Sequence, residues 1–170
     1  ATSGRGVLAS YQQDHGEDLY RRGLYTFIKL TVPPPSMILF DASNRDQCEV
    51  KRSKTNTPLQ ALMMMNDPLV MEASRVLAQR LLEEQSASSE KITKAFRLII
   101  CRKPTAKEIA VLEGYFKEQQ ELYQQKKSEA AIMIKKGEYP AAKKIDVNEQ
   151  AALMKTIGAI YNLEEAITKT

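Results

Sequence analysis

The sequence of 170 residues has one histidine, two cysteines and no long apolar run. Zinc sites need several histidine or cysteine ligands, which this sequence does not offer. Catalytic Ser-His or Cys-His pairs need a histidine as general base, and His15 is the only candidate for that role. Cys48 and Cys101 lack metal-site spacing, and no Cys-x-x-Cys-His segment is present to attach a c-type haem. No stretch approaches the ~20 apolar residues of a membrane span. The sequence therefore predicts no metal, cofactor or membrane span in this chain.

The two cysteines are too few for a disulfide framework. One bridge between Cys48 and Cys101 is conceivable, and two separate buried thiols are the expected arrangement.

The charges are balanced and spread along the chain. Lys and Arg number 25 against 21 Asp and Glu, for a formal net charge of +4. A nucleic-acid interface needs a basic face with interleaved aromatic residues. Here the late lysine pairs alternate with Glu and Gln, which is typical of solvated helix faces. We expect neither nucleic acid nor a membrane surface as a partner.

Residues 1–40 predict an irregular arm. Glycines allow unusual backbone angles there, and the run Pro33–Pro35 predicts a rigid extended connector. The given sequence does not open with a basic-then-apolar signal peptide, and its first residues resemble a cut inside a longer protein. We therefore expect a fragment of a larger multidomain polypeptide.

Residues 41–170 predict a helical body. Asp41 or Ser43 can cap a short helix through residue 46. Thr57-Pro58-Leu59-Gln60 is a capping box with proline at the first helical position, and Asp67-Pro68 starts the next helix. Short loops between such helices indicate antiparallel neighbours.

The second half of the body continues this pattern. An apolar stripe runs over residues 92–100, and the capping box that starts at Thr105 opens a long helix. Residues 128–136 predict a helix ended by Gly137, and Asp146 caps the last helix. The predicted fold is mainly α, an irregular antiparallel helical bundle with an extended, proline-rich N-terminal arm, in a single domain over 1–170.

Arginines near the N-terminus are the best candidates for a binding site. Their planar guanidinium groups match carboxylate, sulfate or phosphate in bidentate geometry. The candidate anion or glycan site comprises Arg21, Arg22, Tyr25, Arg45, Arg52 and Asn56. In the structural interpretation, which we favour, the arginines instead pair with the acids Asp41, Asp46 and Glu49 and pin the arm to the bundle.

Other reactive-looking residues have simpler interpretations. Asp14, Glu17 and Asp18 offer oxygen ligands to calcium, but their spacing is not that of an EF-hand loop. The run Met63-Met64-Met65 is expected to fill space, because consecutive helical positions point in different directions. An enzyme whose site is completed by an upstream domain would use Asp41 or Asp67 as general base, and no catalytic residue is assigned.

Several proline- and Asx-punctuated segments together resemble one known family. The chain is similar to the C-terminal PSD domain of unknown function, found in planctomycete-type cytochrome-associated proteins. The segments that carry the resemblance are Leu19–Phe27, Thr31–Met37, Phe40–Ala42, Asn44–Arg45, Cys48–Arg52, Thr55–Leu62, Asn66–Pro68, Ala95–Arg97, Pro104–Thr105, Gly137–Pro140 and Asn162–Glu165. Two positions depart from the family pattern: Lys29-Leu30 replaces a basic pair, and Cys101 stands where glycine is common.

The resemblance implies a context and no reaction. It implies large exported proteins of planctomycetes and Bacteroidetes, periplasmic or at the cell surface, with this module after a companion domain and often a cytochrome c-like haem module. It also implies genes near sulfatases and polysaccharide-degrading enzymes. The expected function is an interaction or structural module that contacts the upstream domains of the same polypeptide, with haem elsewhere. The alternatives are a carbohydrate- or anion-binding module and a part of a composite hydrolase or redox enzyme.

Overall fold

The computed structural model describes residues 14–21, 23–25, 33–43, 50–51, 54–84, 87–142 and 145–168. Within these ranges, all regular structure is helical: eight α-helices and two short 3-10 helices, with no strand. The mainly α prediction is confirmed for this part of the chain. The chain divides into two compact units, residues 1–55 and residues 56–170. The prediction of one domain with an arm over 1–40 stays a prediction.

The first unit contains the two 3-10 helices, Gly16–Tyr20 and Gly23–Tyr25, and the short helix α1, Pro35–Leu39. Pro34 is the residue before α1, with φ −56° and ψ 131°, and Pro35 occupies the first turn of α1, where a missing N–H costs no hydrogen bond. The extended connector predicted over the three prolines was therefore wrong for Pro35. The short helix predicted through residue 46 lies largely outside the described residues.

The second unit is built around its last long helix. The helix α7 packs against α3, α4, α5 and α6, and most of its residues between Gln150 and Ile160 are buried. This arrangement explains why α7 is apolar on several sides, since it lies inside the bundle. The helices of this unit are α2, Pro58–Asn66; α3, Pro68–Glu83; α4, Ser88–Ile100; α5, Ala106–Gln125; α6, Lys127–Met133; α7, Val147–Tyr161; and α8, Glu164–Ile167.

The predicted N-caps of the second unit, Thr57, Asp67, Thr105 and Asp146, are confirmed. The Thr57 hydroxyl accepts from the Gln60 amide at 3.3 Å, and the Gln60 side chain accepts from the Thr57 amide at 2.9 Å. Thr105 and Glu108 form the same reciprocal pair at the start of α5. Asp67 caps α3 through the amides of the two residues after Pro68. Each cap satisfies helix amides that have no partner within the helix.

Two predictions near helix ends were wrong. The helix α6 ends at Met133, so Gly137 does not cap it and instead lies in the following loop with φ +89°. Cys101 was expected to be buried, but it is an exposed free thiol. It directly follows α4 in a left-handed conformation, φ 65°, which turns the chain at the surface. Cys48 lies outside the described residues.

A search of the described helices for a membrane span found none of sufficient length and apolarity.

Candidate functional site

The six residues predicted to bind an anion or glycan divide between the two units. Arg21 and Tyr25 belong to the first unit and Asn56 to the second, while Arg22, Arg45 and Arg52 lie outside the described residues. Arg21 is exposed and pairs with Asp18, one helical turn earlier, at 2.6 Å. Tyr25 and Asn56 are exposed as well. The predicted site, and the alternative pairing with Asp41, Asp46 and Glu49, both stay predictions.

The two candidate general bases, Asp41 and Asp67, both accept hydrogen bonds from backbone amides. The Asp41 carboxylate accepts from the Thr55 amide at 2.7 Å and from the Thr55 hydroxyl at 2.8 Å. Asp41 itself has φ 57°, a conformation that aspartate tolerates better than most residues. The Asp67 carboxylate accepts from the Leu69 amide at 2.8 Å as the cap of α3. Both carboxylates therefore have a structural role, since each stabilises the local backbone conformation through these hydrogen bonds.

The acidic residues that were considered as calcium ligands belong to one short segment near the N-terminus. Glu17 and Asp18 lie in the first turn of a 3-10 helix and are exposed. In the described part of the chain, no three His, Cys, Asp or Glu side chains are grouped so as to hold a metal ion.

A cavity of about 240 Å³ lies within the second unit, between α2, α3, α5, α6 and α7. Five of the seven methionines of the chain line it, contributed by four different helices. They are Met64, Met65, Met71, Met133 and Met154. The sequence shows two of them as neighbours and gives no sign that the other three lie beside them, because this convergence is tertiary. The sequence analysis expected methionines only to fill space, whereas five of them line this cavity.

The cavity also has a small number of polar groups. Ser74 donates to the Val70 carbonyl at 2.8 Å, so its hydroxyl proton is used within α3. The Asn162 side-chain Nδ2 donates to the Ala61 carbonyl at 3.3 Å, whereas its Oδ1 is buried with no hydrogen-bond partner among the described residues. Burial and the nearby Glu118 carboxylate raise the pKa of Tyr115, so its phenol stays neutral at physiological pH. The lining thus combines thioethers with a few polar side chains, of which Lys155 is the charged one among the described lining residues.

A second concavity, of about 560 Å³, follows the outer surface of α4 from Ser89 to Cys101. All of its lining residues belong to that helix or directly follow it, so it is an open surface and not an enclosed site.

A buried polar clamp joins α3 to the loop after α6. Glu72 and Arg75 are 3% and 1% exposed and lie 3.7 Å apart. Arg75 donates from Nε to the Lys136 carbonyl at 3.0 Å and from Nη2 to the Tyr139 carbonyl, and the Tyr139 amide donates to Glu72. The pair therefore satisfies loop backbone, which indicates a structural role. Sequence reasoning missed Arg75, since its helical position resembles that of any surface arginine.

An exposed ionic network joins the ends of three helices. Arg102 contacts Glu108 at 2.7 Å and Glu165 at 2.8 Å, and it stacks over the Phe96 ring at 4.9 Å. The Arg102 hydrogen bond, together with those from Thr105, lowers the pKa of Glu108 to about 2. The same guanidinium lowers the pKa of Glu165. Both carboxylates therefore stay charged well into the acidic range, and the network fixes α8 against the α4–α5 turn.

Comparison with known proteins gives one family. The family model described as PSD1, protein of unknown function (DUF1553), matches residues 3–116, which is more than half of the chain. No curated protein and no solved structure matches the chain. The matched range ends within α5, so α7 and the Asn162 side of the cavity lie beyond it.

Proposed function

We propose that this chain, which belongs to the PSD1 family of proteins of unknown function (DUF1553), is an interaction module that docks the outer face of α2 onto the remainder of a larger polypeptide. The larger protein is, in this proposal, exported and cytochrome-linked, and it works in polysaccharide utilisation at the cell surface or in the periplasm. The docking face is defined by Leu59, Leu62 and Met65, and Met65 is also one of the residues that line the cavity.

The exposure of these three apolar side chains carries the proposal. Leu59, Leu62 and Met65 are 58%, 55% and 54% exposed. Their spacing of three residues places them on one side of α2, so they form one stripe. Single exposed leucines are common in proteins. Three large side chains on the same side of one short helix are less common. Because each is little more than half exposed, each would gain about 1–1.5 kcal/mol when the remaining surface is covered.

The α2 helix is held rigidly enough to present such a face. The Thr57–Gln60 capping box fixes its start, and the Gln60 side chain is 1% exposed. Toward the other end, the Asp67 amide donates to the Met63 carbonyl at 2.8 Å. On the inner side, Asn162 holds the Ala61 carbonyl. A surface that is ordered before binding loses less conformational entropy when it is covered.

The choice of the rest of the polypeptide as partner rests on the family resemblance. It implies a module that follows a companion domain and often a cytochrome c-like haem module. A partner in the same chain is present at high effective concentration, so a stripe of three side chains is sufficient for docking.

A double variant tests the proposal in the full-length polypeptide. Leu59→Ser with Leu62→Ser removes two of the three apolar side chains of the stripe, and neither residue belongs to the buried core of the second unit. We expect full-length wild type to unfold at a higher Tm than the isolated 170-residue chain, and the double variant to lose that difference. Val111→Ser is the matched control, because Val111 is 70% exposed on α5, away from the stripe. An equal Tm gain in wild type and double variant would contradict the proposal.

A further inference from the structure

The apolar stripe on α2 contains one side chain that can be oxidised, the thioether of Met65. We propose that oxidation of Met65 by a peroxide releases α2 from its docked position, so that the contact is under redox control. This regulation rests on the docking proposed above. It depends on the position of Met65, which is 54% exposed and shares the stripe with Leu59 and Leu62.

Exposure distinguishes Met65 from the other methionines. All seven methionines of the chain lie within the described residues, and Met65 is the exposed one. Met154 is 2% exposed, and the remaining five are half-buried. A peroxide has to reach the sulfur atom from solvent, so the most exposed thioether reacts first. Oxidation by a limited amount of peroxide therefore starts at the docking face.

The reaction needs the peroxide and no other group. The thioether sulfur attacks one peroxide oxygen, an S–O bond forms, and the O–O bond breaks. The sulfur is oxidised by two electrons, and hydrogen peroxide is reduced to water as the proton of the attacked oxygen moves to the departing one. The product is methionine sulfoxide, which methionine sulfoxide reductases convert back to the thioether.

The sulfoxide disfavours the docked position. Oxidation turns a flexible apolar side chain into a polar one, whose new oxygen accepts hydrogen bonds from water. When the stripe is covered by an apolar partner surface, this oxygen loses its water. A buried acceptor without a donor shifts the equilibrium between docked and undocked α2 roughly five- to a hundredfold toward the undocked form.

The helix itself retains its anchors after oxidation. The Thr57–Gln60 capping box fixes its start, and Asn162 holds the Ala61 carbonyl, so neither contact uses the Met65 side chain. Met65 also lines the cavity of about 240 Å³, which has room for one added oxygen atom. Oxidation therefore changes the surface of α2 and leaves its position in the second unit intact.

The first measurement follows oxidation site by site in the 170-residue chain. Dilute hydrogen peroxide is added, and tandem mass spectrometry distinguishes the adjacent Met63, Met64 and Met65. We expect the sulfoxide of Met65 to form several-fold faster than that of any other methionine. Equal rates at Met65 and at the half-buried Met64 would overturn the proposal, because the oxidation would then have no preference for the docking face.

The second measurement compares melting temperatures before and after oxidation. Untreated full-length wild type is expected to unfold at a higher Tm than the isolated chain. Conversion of Met65 to the sulfoxide should remove most of that difference, and treatment with methionine sulfoxide reductases should restore it. Met65→Leu is the matched control, since leucine keeps the apolar volume without the sulfur, and it should keep the difference before and after peroxide.

The outcomes separate redox control from docking. Without a Tm difference in untreated wild type, the docking proposal itself fails, and redox control fails with it. A difference that persists after complete oxidation of Met65 leaves docking in place and overturns redox control. Loss of the difference in peroxide-treated Met65→Leu protein also overturns it, because the responsible oxidation then lies at another residue.

Discussion

Arg75, buried in α3, donates a hydrogen bond from Nε to the carbonyl oxygen of Lys136 at 3.0 Å, although the two residues are 61 positions apart. Together with Glu72, this arginine supplies the polar partners of a loop that crosses the outside of the bundle. The contact shows how a loop without regular structure is held in place beside α3.

Removal of the arginine should therefore be costly. Arg75→Met takes away the cation beside the buried Glu72 carboxylate and leaves two loop carbonyls without this donor. We expect a loss of about 3–5 kcal/mol in the free energy of unfolding, measured by urea denaturation. Arg80→Met, at an exposed position of the same helix, is the control and should change stability by less than about 0.5 kcal/mol. Similar losses for both variants would contradict the structural role of the clamp.

Gly137 is required in the same loop for two reasons. Its φ of +89° disfavours any side chain, and a Cβ atom there would overlap the Glu72 side chain. Gly137→Ala should lower the free energy of unfolding by about 1–3 kcal/mol. Gly114→Ala, in the open on α5, should instead raise it by about 0.5–1 kcal/mol, because alanine favours the helix. If Gly137→Ala proves neutral, the loop does not have the described conformation.

The thiol at the end of α4 occupies a position that suits glycine. Cys101 has φ 65°, the left-handed conformation in which a Cβ atom is unfavourable. Cys101→Gly should raise the free energy of unfolding by up to about 1 kcal/mol, since relief of strain exceeds the added flexibility of the unfolded chain. Cys101→Ala keeps the Cβ atom and should bring no gain. Equal stability of the two variants would remove the strain argument.

The Arg102–Glu108 pair predicts a dependence of stability on pH. The folded-state pKa of Glu108 is about 2, below its ordinary value of 4.5. Its charge therefore stabilises the fold fully above about pH 4.5, and that contribution is lost as the pH falls toward 2. Glu108→Gln should have a lower Tm than wild type at pH 6, and the difference should close by pH 2.

The same change made in Arg102→Met protein distinguishes the two roles of Glu108, its ion pair with Arg102 and its part in the Thr105 helix cap. In Arg102→Met protein, the change Glu108→Gln should have a smaller effect on Tm at pH 6, because the charged partner is already absent. An undiminished effect in that background would assign the stabilisation to the Thr105 cap and not to Arg102.

Local sequence rules predicted the helical frame well. Thr57, Asp67 and Thr105 mark helix starts because a cap is decided by residues within one turn of each other. The same rules assigned Gly137 to a helix end, and they did not anticipate its packing on Glu72, which lies 65 positions earlier. They also treated the methionines one helix at a time. The cavity and the Arg75 clamp depend on which helices become neighbours, and periodicity alone does not encode that information.

The apolar stripe on α2 is a further feature that local sequence rules could not predict. The sequence places Leu59, Leu62 and Met65 in a helix, but only the packed bundle reveals that they face outward. The family match identifies a module of unknown function. The docking proposal therefore depends on a direct measurement at the stripe itself.

That measurement is the rate of Met65 oxidation by dilute hydrogen peroxide, followed by mass spectrometry. Met65 is 54% exposed in the 170-residue chain, so its thioether should react readily there, whereas Met154 is 2% exposed and should react slowly in any context. If α2 docks on the remainder of the full-length polypeptide, Met65 should oxidise at least several-fold more slowly in the full-length protein than in the isolated chain. The Leu59→Ser, Leu62→Ser variant should restore the faster rate. Equal Met65 oxidation rates in the isolated chain and the full-length protein would contradict the proposal that this chain is a docking module.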